Sequence, residues 1–329
     1  MTAEACMRQS AFATYANEIT KRLWAFRDDS FANQPSLFDP AYTGPPNPPV
    51  FVRNADHLNV LAPEDPAKAS AVRSLLPKAS RHKWFRSMKS SQALAVSVFG
   101  NLKVLNRVEC LSEVMADDSA GPAFGSGPID AARVELEHDV RSLNEVRSTS
   151  IDVLVSGPTI VCVECKLTEA EVGRCSRPAL PKDHREHCDG AYRQQAGRSR
   201  RCALAERAIA YWDNVPYVLA GVEWQADRDH DPCPLAEPYQ LVRNVLAACV
   251  TEDGKVNTAR GHALLVYDAR NPAFQPHPAG VFERLRGQLV EPPMLRRCSW
   301  QTILRTLADY EDLKWLVRAL DEKYGLAPI

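Results

Sequence analysis

Ser150-Ile151-Asp152-Val153-Leu154-Val155-Ser156, then Gly157-Pro158-Thr159, then Ile160-Val161-Cys162-Val163-Glu164-Cys165-Lys166 carries the strongest structural signal in the chain. Two short runs rich in Val and Ile, with no internal proline, flank a Gly-Pro-Thr break, the pattern of two strands joined by a tight turn. Apolar residues occupy both faces of each run, so central strands covered on two sides are expected. Three charges interrupt this background: Asp152, Glu164 and Lys166. Burying an unpaired charge costs at least about 2 kcal/mol, so these side chains need one another or a metal ion. If Gly157-Pro158-Thr159 is a three-residue hairpin loop, Ser156 faces Ile160. Counting outward, Asp152 then faces Glu164, and Lys166 lies two positions further on the same face. A two-residue loop would turn Asp152 to the other face, so the inference rests on register. Directly opposed Cβ atoms stand about 4.5–5.5 Å apart, a spacing at which two carboxylates can share a divalent cation and a neighbouring lysine can hold a water.

The flanks extend the pattern. Arg133 to Val140 alternates, with Val134, Leu136 and Val140 on one side and Glu135, Glu137 and Asp139 on the other, which predicts a further strand. A helix is predicted over 90–105 from the stripe Leu94, Val98, Leu102 and Leu105. Another is predicted over 239–250 from Leu241, Val242, Val245, Leu246 and Cys249. A buried strand follows at His262 to Tyr267, and Leu313, Leu316, Val317, Leu320 and Tyr324 mark a helical C-terminal stretch. Helix, three strands, helix, strand is an α/β order: a mixed sheet flanked by helices. Upstream, Phe12, Tyr15, Ile19, Leu23 and Phe26 stripe an amphipathic helix over 3–27. A proline-rich connector from Pro35 to Pro49 and a short helix at 65–76 follow.

Composition bounds the function. The 329 residues carry 40 Lys plus Arg against 41 Asp plus Glu, which excludes a uniformly basic nucleic-acid coat and confines any such surface to a local face. Two stretches qualify: 78–89, with Lys78, Arg81, Lys83, Arg86 and Lys89 around Trp84 and Phe85, and 193–201, with Arg193, Arg198, Arg200 and Arg201. No run of about 18 apolar residues suggests a membrane span, and no signal peptide is evident. A reducing cytoplasm is expected, where cysteines are free, catalytic or metal-bound. Of 10 cysteines, Cys175, Cys188, Cys202 and Cys233 fall in a polar, arginine-rich stretch, 167–238, that contains a short predicted helix around 203–212. Four thiolates suffice for zinc or an iron–sulfur cluster, although these four cysteines include no CxxC knuckle. Scattered packed thiols are the alternative.

Carboxylate oxygens suit Mg²⁺ or Mn²⁺, which keep waters and bind phosphate. The natural substrate class of such a site is a phosphodiester. Asp152, eleven intervening residues, then Glu164-Cys165-Lys166 resembles the PD-(D/E)XK nuclease superfamily, the restriction-endonuclease-like fold. The flanking elements resemble its core from about Ser90 to Tyr267. More loosely, the whole chain is similar to a group of bacterial restriction endonucleases in that superfamily. The resemblance implies Asp152 and Glu164 as metal ligands and Lys166 as the catalytic lysine, with Ile151 where the family has proline. It leaves the further carboxylate open between Gln92, as a stand-in, and Glu137. It also implies Gln240 as the glutamine on the later helix, with Arg243 and Asn244 in reach of a phosphate. Glu169 and Glu171, just after the lysine, are expected to face solvent. The resulting expectation is a Mg²⁺- or Mn²⁺-dependent DNA endonuclease with a nuclease-like domain at 90–329, an insertion at 167–238 and an N-terminal helical arm at 1–89. A non-catalytic nucleic-acid-binding or interaction module on the same fold is the alternative, and a salt bridge at the edge of a sheet is the plain structural reading of the three charges.

Overall fold

The computed structural model describes residues 3–145, 150–195 and 197–327. Its strands follow chain order across one five-stranded sheet: β1 (Val134–Asp139), β2 (Ser150–Ser156), β3 (Ile160–Cys165), β4 (Gly261–Tyr267) and β5 (Leu295–Ser299). β1, β2 and β3 pair antiparallel, and β4 and β5 continue the sheet in parallel. The helices are α1 (Ala3–Ser30), α2 (Pro66–Ser74), α3 (Ser91–Ala95), α4 (Asn101–Val104), α5 (Tyr211–Val218), α6 (Tyr239–Cys249), α7 (Val281–Gln288), α8 (Trp300–Ala308) and α9 (Lys314–Tyr324). The architecture is the predicted mixed sheet flanked by helices.

The hairpin has the expected register. Ser156 pairs with Ile160 and Val153 with Val163, around a three-residue loop. The helix predicted over 90–105 is α3 and α4 joined by a π-wound turn, Val96–Gly100. It opens on Ser90, whose hydroxyl accepts the Ala93 N–H at 3.1 Å, the ordinary device for satisfying a free helical N–H.

Side-chain alternation builds two cores, one on each face. Val153, Val155, Val161, Val163 and Cys165 pack with Tyr15, Ile19 and Leu23 of α1, Leu94 of α3 and Trp300 of α8. Leu154, Cys162, Ala263 and Leu265 pack with Trp212 and Val215 of α5, Leu241 and Val245 of α6 and Leu285 of α7. Both faces are therefore covered, as the two-sided apolar runs require.

Two local expectations differ from the structure. The helix placed around 203–212 lies at Tyr211–Val218. The Ala-rich piece before it makes only a 3-10 turn, Ala205–Arg207, and ends at Ala208 in the left-handed region, φ 62°. β5 was not anticipated, because Arg296 and Arg297 break its apolar run. Arg297 is nonetheless buried, bonded to Glu283 at 2.5 Å and laid over the Phe282 ring.

Candidate active site

The ladder between β2 and β3 ends at the pair Val153–Val163. One step further the same register sets Asp152 opposite Glu164, and the β1–β2 register sets Glu137 opposite Asp152. Three carboxylates thus share one rung across three strands. At this rung the strands part, and the Asp152 carboxylate takes over from the ladder: its Oδ2 accepts the Cys165 N–H at 2.7 Å. Glu137 adopts φ 51° and is left out of the pairing with β2. A left-handed residue other than glycine inside a strand is strained by about 1–3 kcal/mol. Here it turns the carboxylate toward Gln92, whose Nε2 donates to Oε1 at 2.6 Å, and toward the Ser150 hydroxyl, which donates to Oε2. Gln92 and Glu137, alternatives for one position in the sequence reading, are bonded to each other.

Glu164 and Lys166 are buried at 3% and 7% exposure, so their partners decide their charge. Lys166 Nζ lies 2.8 Å from Glu164 Oε1 and donates to Gln240 Oε1 at 3.0 Å. The other Glu164 oxygen accepts from Asn244 Nδ2 at 3.0 Å and from Arg243 at 3.4 Å. Arg243 and Asn244, expected to face a phosphate, are instead buried against Glu164. Gln240, Arg243 and Asn244 lie at successive positions i, i+3 and i+4 of α6, which puts them on one helical face.

Burial and the neighbouring charges set the protonation of each group. Burial, with repulsion from Glu164 and Glu137, pushes the Asp152 carboxyl well above its usual range. Burial likewise raises Glu137. Burial alone would raise Glu164, but Lys166 and Arg243 outweigh it and hold this carboxylate below its ordinary value. Desolvation would lower Lys166, but Glu164, Glu169 and Asp152 outweigh it and keep the ammonium charged. An ammonium offers three donors, and two are used within the described residues.

The backbone beneath Lys166 is fixed from several directions. Its N–H donates to Val266 at 2.8 Å and its carbonyl accepts the Trp300 indole N–H at 2.9 Å. The next carbonyl, Leu167, accepts from the Tyr15 hydroxyl and from Asn271, both at 2.8 Å. Glu169 accepts the Leu167 N–H and the Ser91 hydroxyl, each at 2.6 Å. Glu169, expected to face solvent, is instead half-buried. Its position three residues after Lys166 and its tie to the start of α3 make it part of the site's frame.

The donor chemistry of Asp152, Glu164 and Glu137 is that of a hard cation. Mutual repulsion within the cluster is what a cation would relieve. Even so, among the described residues no three His, Cys, Asp or Glu side chains are arranged ready to hold a metal ion. Both Glu164 oxygens are turned to protein donors, and one Asp152 oxygen to the Cys165 N–H.

The basic stretches are largely committed to internal pairs. Arg81 pairs with Asp56 and Arg86 with Asp39, Arg193 with Asp189 and Arg201 with Asp229. Lys78, Lys83 and Arg200 remain exposed, with Trp84 at 43% exposure beside Lys83. No helix among the described residues is long and apolar enough to cross a membrane.

A mixed sheet covered on both faces, with an acidic and lysine-bearing rung where its central strands part, is an α/β domain of restriction-endonuclease-like class. Residues 51–325 match the family described as Restriction Endonuclease associating with ARP, and the chain belongs to that family. No curated protein and no solved structure matches the chain.

Proposed function

We propose that the protein is a metal-dependent nuclease of PD-(D/E)XK type that hydrolyses phosphodiester bonds within DNA. The reading rests on one observation: Asp152 and Glu164 oppose each other where β2 and β3 part, with a charged Lys166 2.8 Å from Glu164. In this reading residues 90–329 carry the catalytic domain, and residues 1–89 are an arm whose first helix braces the carbonyl after Lys166.

Asp152 and Glu164, with Glu137 as the third carboxylate, are the residues that would hold Mg²⁺ or Mn²⁺. An ion held by these carboxylates would supply Lewis-acid polarisation of a phosphodiester and a bound water of lowered pKa. The protein supplies the rest. Lys166, kept as a cation by Glu164, has one N–H remaining for a phosphate oxygen, and it stabilises charge that grows in the transition state. Gln240 holds the ammonium on its other side. Asn244 and Arg243 keep Glu164 ionised and fix its plane. Lys78, Lys83, Arg200 and Trp84 offer backbone contacts and stacking outside the site.

Cleavage of supercoiled and linear DNA in Mg²⁺ or Mn²⁺ tests the proposal. Asp152→Ala and Glu164→Ala are each expected to abolish cleavage while retaining folded protein. Full activity in both variants overturns it. The engagement of both Glu164 oxygens by protein donors favours one second reading, a non-catalytic nucleic-acid-binding module on the same fold. That reading predicts salt-sensitive binding with no turnover in either ion.

A further inference from the structure

The insertion between β3 and α6 has little regular structure of its own. Among its described residues the longest regular element is α5, eight residues, with short 3-10 turns around it. Such a segment must be held by something other than a strand ladder. Its four cysteines are all half-buried and unbridged.

Three features bring these cysteines together. First, backbone hydrogen bonds lace their loops into one another. Cys175 N–H donates to Ala236, near Cys233, at 2.9 Å; Cys233 N–H donates to Gly190, near Cys188, at 2.8 Å; Cys188 N–H reaches Arg177, near Cys175, at 3.5 Å. Every pair among the four is close enough to interact electrostatically. Second, the chain curls around the sulfurs in the same way at three of them. The Arg177 N–H faces the Cys175 sulfur, the Leu204 and Ala205 N–H groups face Cys202, and the Leu235 N–H faces Cys233. Burial pushes these three thiols up, and the backbone N–H groups two or three residues downstream oppose it, because their positive dipole ends suit a thiolate better than a neutral thiol. Third, the Trp212 indole N–H is buried, with the residue at 3% exposure, and lacks a hydrogen-bond partner of ordinary geometry. Its polar neighbour is the Cys202 sulfur. An orphaned buried donor beside a thiol is explained if that sulfur carries negative charge.

We propose that Cys175, Cys188, Cys202 and Cys233 bind one zinc ion as a tetrathiolate centre that staples the insertion. Zinc takes four thiolates in a closed structural site, and its ligands lose their protons on binding. The four sulfurs are neighbours that have not converged on one point, and they sit on loops free of strand pairing, which can close around an ion. The centre has a consequence for the candidate active site. Gly173, two residues before Cys175, lies directly against the Gln240 side chain that holds Lys166. Fixing Cys175 therefore fixes one wall of that site.

The test does not depend on nuclease activity. Full-length protein, purified without added metal or chelator, is assayed for metals. Its cysteines are alkylated with and without a zinc chelator and mapped by mass spectrometry. One zinc per chain is expected, with these four cysteines shielded until the chelator is added. The buried Cys110, Cys162, Cys165, Cys249 and Cys298 should show no such chelator dependence. Cobalt substitution should give thiolate-to-metal charge-transfer absorption that Cys202→Ser and Cys233→Ser reduce. A metal-free protein whose four thiols alkylate at the same rate with and without chelator overturns the proposal. So does a brown protein with acid-labile sulfide, which would make the centre an iron–sulfur cluster.

Discussion

Gly173→Ala tests how the site is supported without touching a charged residue. Gly173 has φ 110°, and a Cβ built there would lie 1.8 Å from Gln240 Oε1 and 2.8 Å from its Cγ. That oxygen is the one to which Lys166 donates at 3.0 Å. An alanine must therefore expel the Gln240 side chain and also adopt a backbone conformation that side chains disfavour. Losing a hydrogen bond to a charged donor costs about 1.5–3 kcal/mol, and the backbone strain about 1–3 kcal/mol. Together these come to about 2.5–6 kcal/mol, with Lys166 keeping its bond to Glu164. At roughly 2–4 °C per kcal/mol, Tm should fall by about 5–24 °C. Freed on one side, the ammonium is mispositioned, and cleavage should slow by about tenfold or more. The decisive assay is a double-mutant cycle with Gln240→Ala, read by DNA cleavage rate and denaturant unfolding. With the glutamine already gone, Gly173→Ala should retain only its backbone cost and leave the cleavage rate unchanged. If Gly173→Ala slows the Gln240→Ala protein by the same factor as the wild type, it does not act through Gln240 and the proposed coupling is refuted.

Other parts of the structure give separate expectations. Asn244→Ala deprives one Glu164 oxygen of its 3.0 Å donor in a fully buried setting, and urea unfolding should show a loss of about 1–3 kcal/mol. Lys323 is 1% exposed and bonded to the Asn59 carbonyl and side chain at 2.6 and 2.8 Å, and burial lowers its pKa from 10.5 to about 7. The folded value lies below the unfolded one, so the unfolded chain binds more protons between about pH 7 and about pH 10 and stability should rise with pH across that window. Lys323→Met should flatten this rise in Tm, and an unchanged slope would rule out Lys323 as its source. Asp65 caps α2 by accepting the Ala67 and Lys68 N–H groups, both at 2.9 Å, and Asp65→Ala should cost about 1 kcal/mol in thermal unfolding.

The hairpin was legible because its information is local. Gly157-Pro158-Thr159 sets a three-residue loop, the loop sets the register, and the register alone brings Asp152 to Glu164 and Lys166 to the same face. Gln240 was legible only through the family pattern, and its bond to Lys166 spans 74 positions of sequence. Glu169 was misread because local polarity says nothing of Ser91, 78 positions upstream, which its carboxylate accepts. The left-handed turn at Glu137 was invisible for a similar reason: contacts with Gln92 and Ser150 hold it, and no local propensity favours it. β5 escaped notice because Arg297 is stabilised by Glu283 and the Phe282 ring, partners that a hydropathy pattern does not include. Arg243 and Asn244 were placed on the correct helix but assigned to a ligand, whereas they serve Glu164.

Lys166, charged and poised between Glu164 and Gln240, is proposed to serve a phosphodiester-cleaving site. Incubating circular DNA with wild-type protein and with Lys166→Ala in Mg²⁺ tests it most directly. Nicked and linear products are expected from the wild type and a loss of about 100-fold or more in the variant, with the variant still folded by circular dichroism. Equal cleavage by the two proteins would contradict it, as would a wild type that binds DNA and never cuts it.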